Sequence, residues 1–218
     1  MARALAARLG YIHIDTGAMY RAVTWLALRQ GVDLDDAAGL TSLAQTADIC
    51  FAQGGPDTAQ SVYCRGQDIT GEIRSPQVSA AVSVVSAVEG VREALVGAQR
   101  RMAADRDVVM DGRDIGTVVL PQAECKIYLT ASVEARAGRR QREWEGKDTG
   151  LTLAETEAAI RKRDEDDMRR ESSPLEPAAD SILLDTTSLS FQEVLDIAAG
   201  MVRSVQNTEN HKKKEFTE

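Results

Sequence analysis

The sequence predicts an α/β fold built on a parallel sheet, with a small β-rich insertion at about 48–75. Short apolar runs at 107–112, 125–131 and 181–186 alternate with helical stretches, as in a parallel sheet that is covered on both faces. Two further runs, at 48–53 and 61–65, flank the segment GGPDTAQ, whose Gly and Pro residues predict an antiparallel hairpin. A run at 11–15, YIHID, precedes a tight turn on Gly17 and a helix.

Helices are predicted wherever apolar residues recur with a spacing near 3.6. Two helices each carry one buried side, formed by Val23, Leu26, Ala27 and Gln30 in 18–31 and by Val91, Leu95, Ala98 and Met102 in 90–104. A third, longer helix is predicted near 152–171.

Length and composition indicate one globular domain. The chain has 218 residues, 43% hydrophobic and 28% charged, which suits a single domain with small subdomains. No apolar run approaches the roughly 18–20 residues that cross a membrane, and the first residues form a poor signal peptide, so we expect a cytoplasmic protein. The polar tail at about 205–218 is expected to be disordered, and the absence of a heptad pattern favours a monomer.

The charge of the chain argues against a nucleic acid polymer as its partner. The net charge is −8, whereas binding of long nucleic acids needs a general basic field. The positive charge is concentrated in RAGRRQR (136–142) and RKRDEDDMRR (161–170). Clustered arginines on an acidic protein suit a small anionic ligand, and phosphate matches the paired donors of a guanidinium.

Three segments are predicted to carry the ligand, because ligands of such folds sit outside the carboxyl ends of the parallel strands. The first, DTGAMYR, holds a hydroxyl, a turn glycine and a cation in Thr16, Gly17 and Arg21. The second, DGRDIGT, follows an apolar strand and contains Asp111, Arg113 and Asp114. The third is the long helix, where spacings of four and three place Arg163, Asp167 and Arg170 on one face.

Each of these features also has an ordinary structural explanation. Arg163 and Asp167 could form a simple ion pair on a wet helix face, which is worth about 0.3–0.5 kcal/mol. Arg136, Arg139 and Arg140 could form a solvated stripe, and DGRD could be a turn that caps a helix. Their presence together, in segments that the fold brings to strand ends, favours a phosphate-binding function.

Taken together, these motifs show that the chain resembles the bacterial cytidylate kinases over nearly its whole length. The resemblance is carried by DTGAMYR, DITGEIRSPQVS, VREAL, DGRDIGTVVLP, the RKRDEDDMRR helix and PLEPAADSILLDTT, in this order. It implies a doubly wound parallel sheet of the P-loop kinase type and an ATP- and Mg²⁺-dependent transfer of phosphate to CMP or dCMP. The insertion at about 48–75 corresponds to the monophosphate-binding subdomain and about 136–171 to a helical lid.

The resemblance also implies roles for individual residues. The CMP phosphate would be bound by Thr16, Gly17, Arg21 and Arg170. The cytosine would be read by Ser83, Arg92 and Asp114, and the ribose contacted by Arg163 and Asp167. Charge on the transferring phosphoryl group would be stabilised by Arg113, Arg136 and Arg139. Asp111 is a candidate for Mg²⁺ or substrate positioning.

One family motif is not among the 218 residues. The loop GxxxxGK[ST], which cradles the donor phosphates, does not occur, and the only Gly-Lys pair lies in EGKDTG at 145–150. We therefore expect that the sequence begins at an internal methionine, that its central first strand is absent, and that this form is inactive and poorly folded. Two alternatives remain open: a non-catalytic CMP-binding protein without a donor site, and a kinase for another monophosphate.

Overall fold

A computed structural model describes residues 1–52, 60–143, 151–170 and 172–215, with side chains through residue 208. The chain divides into two compact units, residues 2–115 and residues 116–218, the latter together with Met1. We call them the N-terminal unit and the C-terminal unit and describe each by itself.

The N-terminal unit contains five helices, five strands and one 3₁₀ turn in its described residues. Its helices are α1 (Ala2–Leu9), α2 (Thr16–Gln30), α3 (Ala37–Gln45), α4 (Pro76–Ala87) and α5 (Glu89–Ala103). Its strands are β1 (Ile12–Asp15), β2 (Ile49–Ala52), β3 (Ser61–Cys64), β4 (Gln67–Asp68) and β5 (Val108–Asp111), and the 3₁₀ turn is Glu72–Arg74.

Capping residues define both ends of helix α2. Asp15 precedes the helix and its carboxylate accepts from the Ala18 amide at 2.9 Å, which satisfies a first-turn donor that has no partner within the helix. Gly31 ends the helix in the left-handed region (φ 68°), which glycine adopts without steric cost. The expected helix is confirmed, but Gln30 is exposed rather than on the buried side.

The core of this unit is formed by helices α2, α3, α4 and α5 together with β2, β3 and the segment at 69–73. Its fully buried members include Met19, Val23, Leu40, Val85 and Leu95. The apolar side predicted for 90–104 is confirmed by α5, because Val91 and Leu95 are buried and Ala98 and Met102 pack partly buried against this core.

The predicted hairpin is confirmed, and it gains a third strand. Strands β2, β3 and β4 form an antiparallel sheet in that order, with Ile49 opposite Cys64 and Tyr63 opposite Asp68. The turn between β2 and β3 lies almost wholly outside the described residues.

Strands β1 and β5 form a parallel pair that positions the first two ligand segments. Ile12 is paired with Val108, and the register ends with Asp15 beside Asp111. Because the two strands are parallel, the segments that follow them both begin at the carboxyl end of the pair.

The C-terminal unit is a second α/β arrangement. It contains β6 (Ile127–Thr130), α6 (Val133–Glu143), α7 (Leu153–Met168), β7 (Ile182–Asp185) and α8 (Phe191–Glu215). Strands β6 and β7 are parallel, with Ile127 beside Ile182. Helix α8 continues past the expected start of the disordered tail at residue 205.

The parallel strands are less covered than the sequence predicts. The described strands form two parallel pairs and the three-stranded antiparallel sheet, and no residue of β5 is fully buried. In β7 only Leu184 is buried, and Leu183 is 66% exposed. Continuous apolar runs predicted strands covered on both faces, and this expectation is wrong for β5 and β7, because the elements that pack against these strands leave part of their side chains uncovered. Among the described residues, no helix is both long and apolar enough to span a membrane.

Candidate functional site

The first predicted segment lies at the ends of β1 and β5, where Thr16 is tied to the neighbouring strand. Thr16 is buried, and its hydroxyl donates to the backbone carbonyl of Asp111 at 2.8 Å. Gly17 is exposed in the first turn of α2, and a Cβ there would lie 3.2 Å from Asp15 Oδ1. A threonine hydroxyl has one hydrogen to donate, so Thr16 can donate to a phosphate only by leaving Asp111.

Arg21 follows one turn later on α2 and reaches the segment before and within α4. Its Nη1 donates to Ser79 Oγ at 2.9 Å and to the carbonyl of Ile73 at 3.2 Å. The residues that hold Arg21 therefore come from DITGEIRSPQVS, the motif that ends at Ser79. Ser79 was not singled out from the sequence, although it belongs to a quoted motif.

Arg92 and Asp114 form a buried ion pair, with 4% and 5% of their side chains exposed. Arg92 lies on α5 and bonds through Nη2 to a carboxylate oxygen of Asp114, which follows β5 by three residues. Arg92 Nη1 donates to the Ser86 carbonyl at 3.1 Å, and its guanidinium carbon lies 5.4 Å from the centre of the Tyr20 ring. The Nε of Arg92 is buried and has no hydrogen-bond partner in the described part of the chain.

This arrangement provides a donor and an acceptor in a desolvated setting. Buried polar groups are normally paired, so an unpartnered Arg92 Nε marks a position where a ligand acceptor would be favourable. Ser83 lies one turn before Ser86 on α4, is half-buried, and its carbonyl accepts from Ser86 Oγ at 3.1 Å. The three residues predicted to read a base are thus linked through α4.

Sequence reasoning missed two buried residues of the N-terminal unit that carry polar atoms. Tyr20, whose ring lies against Arg92, directly precedes Arg21 in DTGAMYR. An aromatic residue at helical spacing is ordinarily interpreted as a core residue, so the sequence did not mark it. Gln99 is 1% exposed, and both of its amide atoms lack a partner among the described residues. It lies two helical turns after Arg92 on α5, a position that the apolar pattern does not mark.

Asp111 and Arg113 differ from Asp114 in being exposed. One carboxylate oxygen of Asp111 lies 2.6 Å from His13 Nε2. The described residues contain no group of three or more His, Cys, Asp or Glu that could hold a metal ion. Asp111 alone is therefore insufficient as a metal site, and it fits Mg²⁺ only where substrate phosphates supply most of the ligands, as is usual for this ion.

The C-terminal unit holds the remaining predicted residues in two groups. On α7, Asp167 is 1% exposed and is paired with Arg170, and Arg163 is half-buried. This burial excludes a wet helix face for Asp167. Arg163 and Asp167 lie on α7 as the spacing predicts, but the expectation that Arg170 shares their helix face is wrong, because the helix ends at Met168 and Arg170 follows it.

The second group lies on α6, where the arginines are half-buried rather than solvated. Arg136 pairs with Asp164 of α7 at 2.6 Å. Arg139 donates to both the hydroxyl and the carbonyl of Thr186, directly after β7. These contacts exclude a solvated stripe for Arg136 and Arg139, and they join α6 to two other elements of its unit.

The acidic groups with perturbed ionisation lie outside these clusters. A hydrogen bond from Lys126 lowers the pKa of Asp180, and hydrogen bonds from the backbone and hydroxyl of Thr152 lower the pKa of Glu155. Burial raises the pKa of the Cys64 thiol. These shifts follow from capping and pairing and do not identify a catalytic acid or base.

The fold and these clusters define a mixed α/β protein that presents buried arginine–carboxylate pairs next to parallel strands, a class suited to small anionic ligands. The family model described as cytidylate kinase matches residues 1–204. The chain belongs to the cytidylate kinase family.

Individual relatives agree with this assignment. The protein "Cytidylate kinase" of Geobacter sp. (strain M21) is 46% identical over 203 residues, covering 93% of this chain and 86% of that protein. "Cytidylate kinase" of Bacillus licheniformis is 47% identical over 196 residues, covering 90% and 86%. "Bifunctional pantoate ligase/cytidylate kinase" of Synechococcus sp. (strain JA-3-3Ab) is 47% identical over 207 residues. This match covers 94% of this chain and 38% of that protein, so the chain spans well under half of the bifunctional relative.

Proposed function

We propose that the protein is a nucleotide kinase that transfers the γ-phosphoryl group of ATP to CMP or dCMP, giving CDP or dCDP. The observation that carries this proposal is the buried Arg92–Asp114 pair with its unpartnered Nε. A carboxylate accepts hydrogen bonds only, and so it favours the exocyclic amine of cytosine over the carbonyl oxygen that uracil has there. Membership of the cytidylate kinase family supports the same substrate.

The N-terminal unit would bind the base and the phosphate of the acceptor. Arg92 and Asp114 contact the cytosine, with Ser83 beside them on α4. Arg21 and the segment at Thr16 and Gly17 bind the phosphate. The support for Arg21 is its fixed position, since Ser79 and Ile73 already hold one end of the guanidinium, which lowers the entropy lost when phosphate binds.

The C-terminal unit would supply the ribose contacts and the cations for transfer. Arg163 and Asp167 contact the ribose, and Arg170 contributes to the phosphate. Arg136 and Arg139 on α6, with Arg113 of the N-terminal unit, neutralise charge that develops on the transferred group. Little covalent chemistry is needed from the protein, because phosphoryl transfer depends mainly on positioning and electrostatic stabilisation.

ATP would be the phosphate donor, and Mg²⁺ would accompany its phosphates. When bound, Mg²⁺ neutralises phosphate charge, and Asp111 is the residue of this chain nearest to fitting it. We further propose that the strands belong to a doubly wound parallel sheet of the P-loop kinase type. Its support is the parallel pairing of β1 with β5 and of β6 with β7.

A second candidate is a CMP-binding protein without phosphoryl transfer. The observation that favours it is the lack of GxxxxGK[ST] in the 218 residues, because this loop binds the donor phosphates and contributes the lysine and the Mg²⁺ hydroxyl ligand. Both candidates share the acceptor site and differ only in what happens to ATP.

Calorimetric titration of the chain with CMP and UMP tests the shared site, and ADP formation from ATP and CMP separates the candidates. We expect heat with CMP and at least about tenfold weaker binding of UMP, equivalent to 1.4 kcal/mol. An Asp114→Asn variant should lose most of this discrimination, since an amide can both donate and accept. No heat at millimolar CMP would exclude both candidates, and ADP formation that depends on CMP would exclude the second.

A further inference from the structure

His13 makes a long-range contact that the proposed function does not use. It lies on β1, is buried, and its Nε2 is 2.6 Å from Asp111 Oδ1, although the two residues are 98 positions apart. An ionised carboxylate can only accept, so the hydrogen in this contact belongs to His13 Nε2. The side chain of Asp111 is 53% exposed, so the contact fixes the inner oxygen of a carboxylate that otherwise faces water.

The register of the strands explains why these two residues meet. His13 is paired with Val109 in the β1–β5 register, and Asp111 lies two residues further along β5. Side chains two residues apart point to the same face of a strand, so His13 and Asp111 share one face of the pair. The backbone of His13 is itself held, because Gln60 Nε2 donates to its carbonyl at 2.7 Å.

We infer that His13 is a positioning residue that holds the Asp111 carboxylate in one orientation at the end of β5. In this orientation Oδ1 is occupied by His13, and Oδ2 is the oxygen offered to water or to a hydrated cation. The same strand end carries Thr16, whose hydroxyl donates to the Asp111 carbonyl. The side chain of Asp111 is thus held by His13 of β1, and its backbone carbonyl by Thr16 at the start of α2.

A held carboxylate matters because Mg²⁺ demands near-ideal ligand geometry. With Oδ1 held by His13, the carboxylate would offer Oδ2 in one orientation to a hydrated cation that accompanies the nucleotide phosphates, and less side-chain freedom would be lost on binding. This inference rests on the proposed function for its effect on CMP, but the His13–Asp111 contact can be tested without it.

The contact itself is tested by nitrogen-15 NMR of the histidine rings. The chain has two histidines, His13 and His211, so a His211→Gln variant leaves the signals of His13 alone and also serves as the control for CMP affinity. We expect an Nε2-protonated ring whose proton is shifted downfield and exchanges slowly. Adding Asp111→Ala should remove the shift and the slow exchange. Unchanged His13 signals in that variant would overturn the inference.

The effect on binding is tested with two His13 variants in calorimetric titrations with CMP in the presence of Mg²⁺. His13→Gln retains an N–H donor, whereas His13→Phe retains a ring but no donor. We expect His13→Phe to weaken CMP binding by about 3- to 10-fold, the range for one lost hydrogen bond, and His13→Gln to recover most of the loss. In an Asp111→Ala background, His13→Phe should have no further effect.

The outcomes separate the two proposals. If the parent chain binds no CMP but the NMR signature responds to Asp111→Ala, the proposed function fails and the contact between the two residues stands. If the parent binds CMP and His13→Phe and His13→Gln weaken it equally, or His13→Phe still weakens it without Asp111, the positioning role is overturned. Far-UV circular dichroism of each variant excludes simple unfolding as the cause.

Discussion

Arg92 and Asp114 are paired with only 4% and 5% of their side chains exposed. Two charges removed from water to this extent lose much hydration energy, and the pair recovers it through direct contact and through the Ser86 carbonyl and the Tyr20 ring. Burial of such a pair is weak evidence for stability, because an apolar pair of similar volume is often as stable. The proposed recognition of cytosine would account for the presence of such a pair at this position.

Removing one member of this pair should destabilise the protein strongly. Asp114→Ala leaves a buried guanidinium without its counter-charge, and we expect the free energy of unfolding to fall by about 3–5 kcal/mol. The double variant Arg92→Met with Asp114→Leu should regain most of that loss in urea unfolding while failing to bind CMP. A double variant as unstable as Asp114→Ala would contradict this account of the pair.

The ends of β1 and β5 should tolerate no side chain at Gly112. A Cβ at this position would overlap Thr16 Oγ1 and lie 2.7 Å from Ile115 Cδ1, and Thr16 cannot move away without losing its bond to Asp111. Gly112→Ala should therefore lower the free energy of unfolding by about 1–3 kcal/mol. Gly71→Ala is the matched control, because a Cβ there meets nothing within 4 Å; an equal loss in both variants would argue against a steric cause.

The sequence predicted the positions of the strands well and the burial of their side chains less well. Runs such as YIHID and DVVMDG mark β1 and β5 because they are too short for a typical helix, are rich in β-branched residues and are bounded by polar or glycine-containing segments. Coverage of those strands depends on which elements pack against them, and this is not a local property. Gln30 shows the same limit, since its position fits the helical spacing but it lies in the last turn of α2, where the core ends.

The sequence singles out candidate residues but not their contacts. Arg21 and Asp114 were singled out because cations and carboxylates in strand-end motifs are unusual in a simple turn, whereas Arg92, which lies on a helix, was assigned only through the family resemblance. The contacts themselves join residues far apart in the sequence. Arg92 and Asp114 are 22 positions apart, and His13 and Asp111 are 98 positions apart. Such pairs are created by register and helix packing, which one sequence does not display.

The first turn of α7 should be sensitive to acid. Thr152 and Glu155 form a capping box in which the Thr152 backbone and hydroxyl both donate to the Glu155 carboxylate, and these bonds lower the pKa of Glu155. A pKa that is lowered by folding adds stability above the ordinary pKa of glutamate, about 4.3, and the stability is lost as pH falls through the folded value.

This dependence is measured by comparing the parent with Glu155→Gln in urea unfolding between about pH 3 and pH 6, a range that extends more than one unit below and above the ordinary pKa of glutamate. The parent should be the more stable near pH 6, and the difference should shrink towards pH 3, because glutamine bears no charge to lose. Glu165→Gln, an exposed site on the same helix, should show no such convergence. A pH-independent gap for Glu155→Gln would contradict the role of the charge.

Arg139 should contribute to the stability of the C-terminal unit as well as to any chemistry. Its guanidinium donates to the hydroxyl and carbonyl of Thr186, and Thr186 in turn donates from its backbone to the Thr130 carbonyl at 2.8 Å. Arg139 thus ties α6 to the ends of β6 and β7. Because hydrogen bonds from charged groups contribute about 1.5–3 kcal/mol, we expect Arg139→Ala to lower the free energy of unfolding by about that amount.

A lysine should replace Arg139 only in part, since a single ammonium does not reproduce the planar pair of donors that reaches both oxygens of Thr186. Arg142→Ala provides the control, because Arg142 is exposed on the same helix and its Nε donates to the Gly138 carbonyl of that helix. It should change stability by less than about 0.5 kcal/mol. If Arg139→Ala unfolds at the same urea concentration as Arg142→Ala, the guanidinium does not hold α6 to the strand ends, and a role confined to phosphoryl transfer becomes the better explanation for its position.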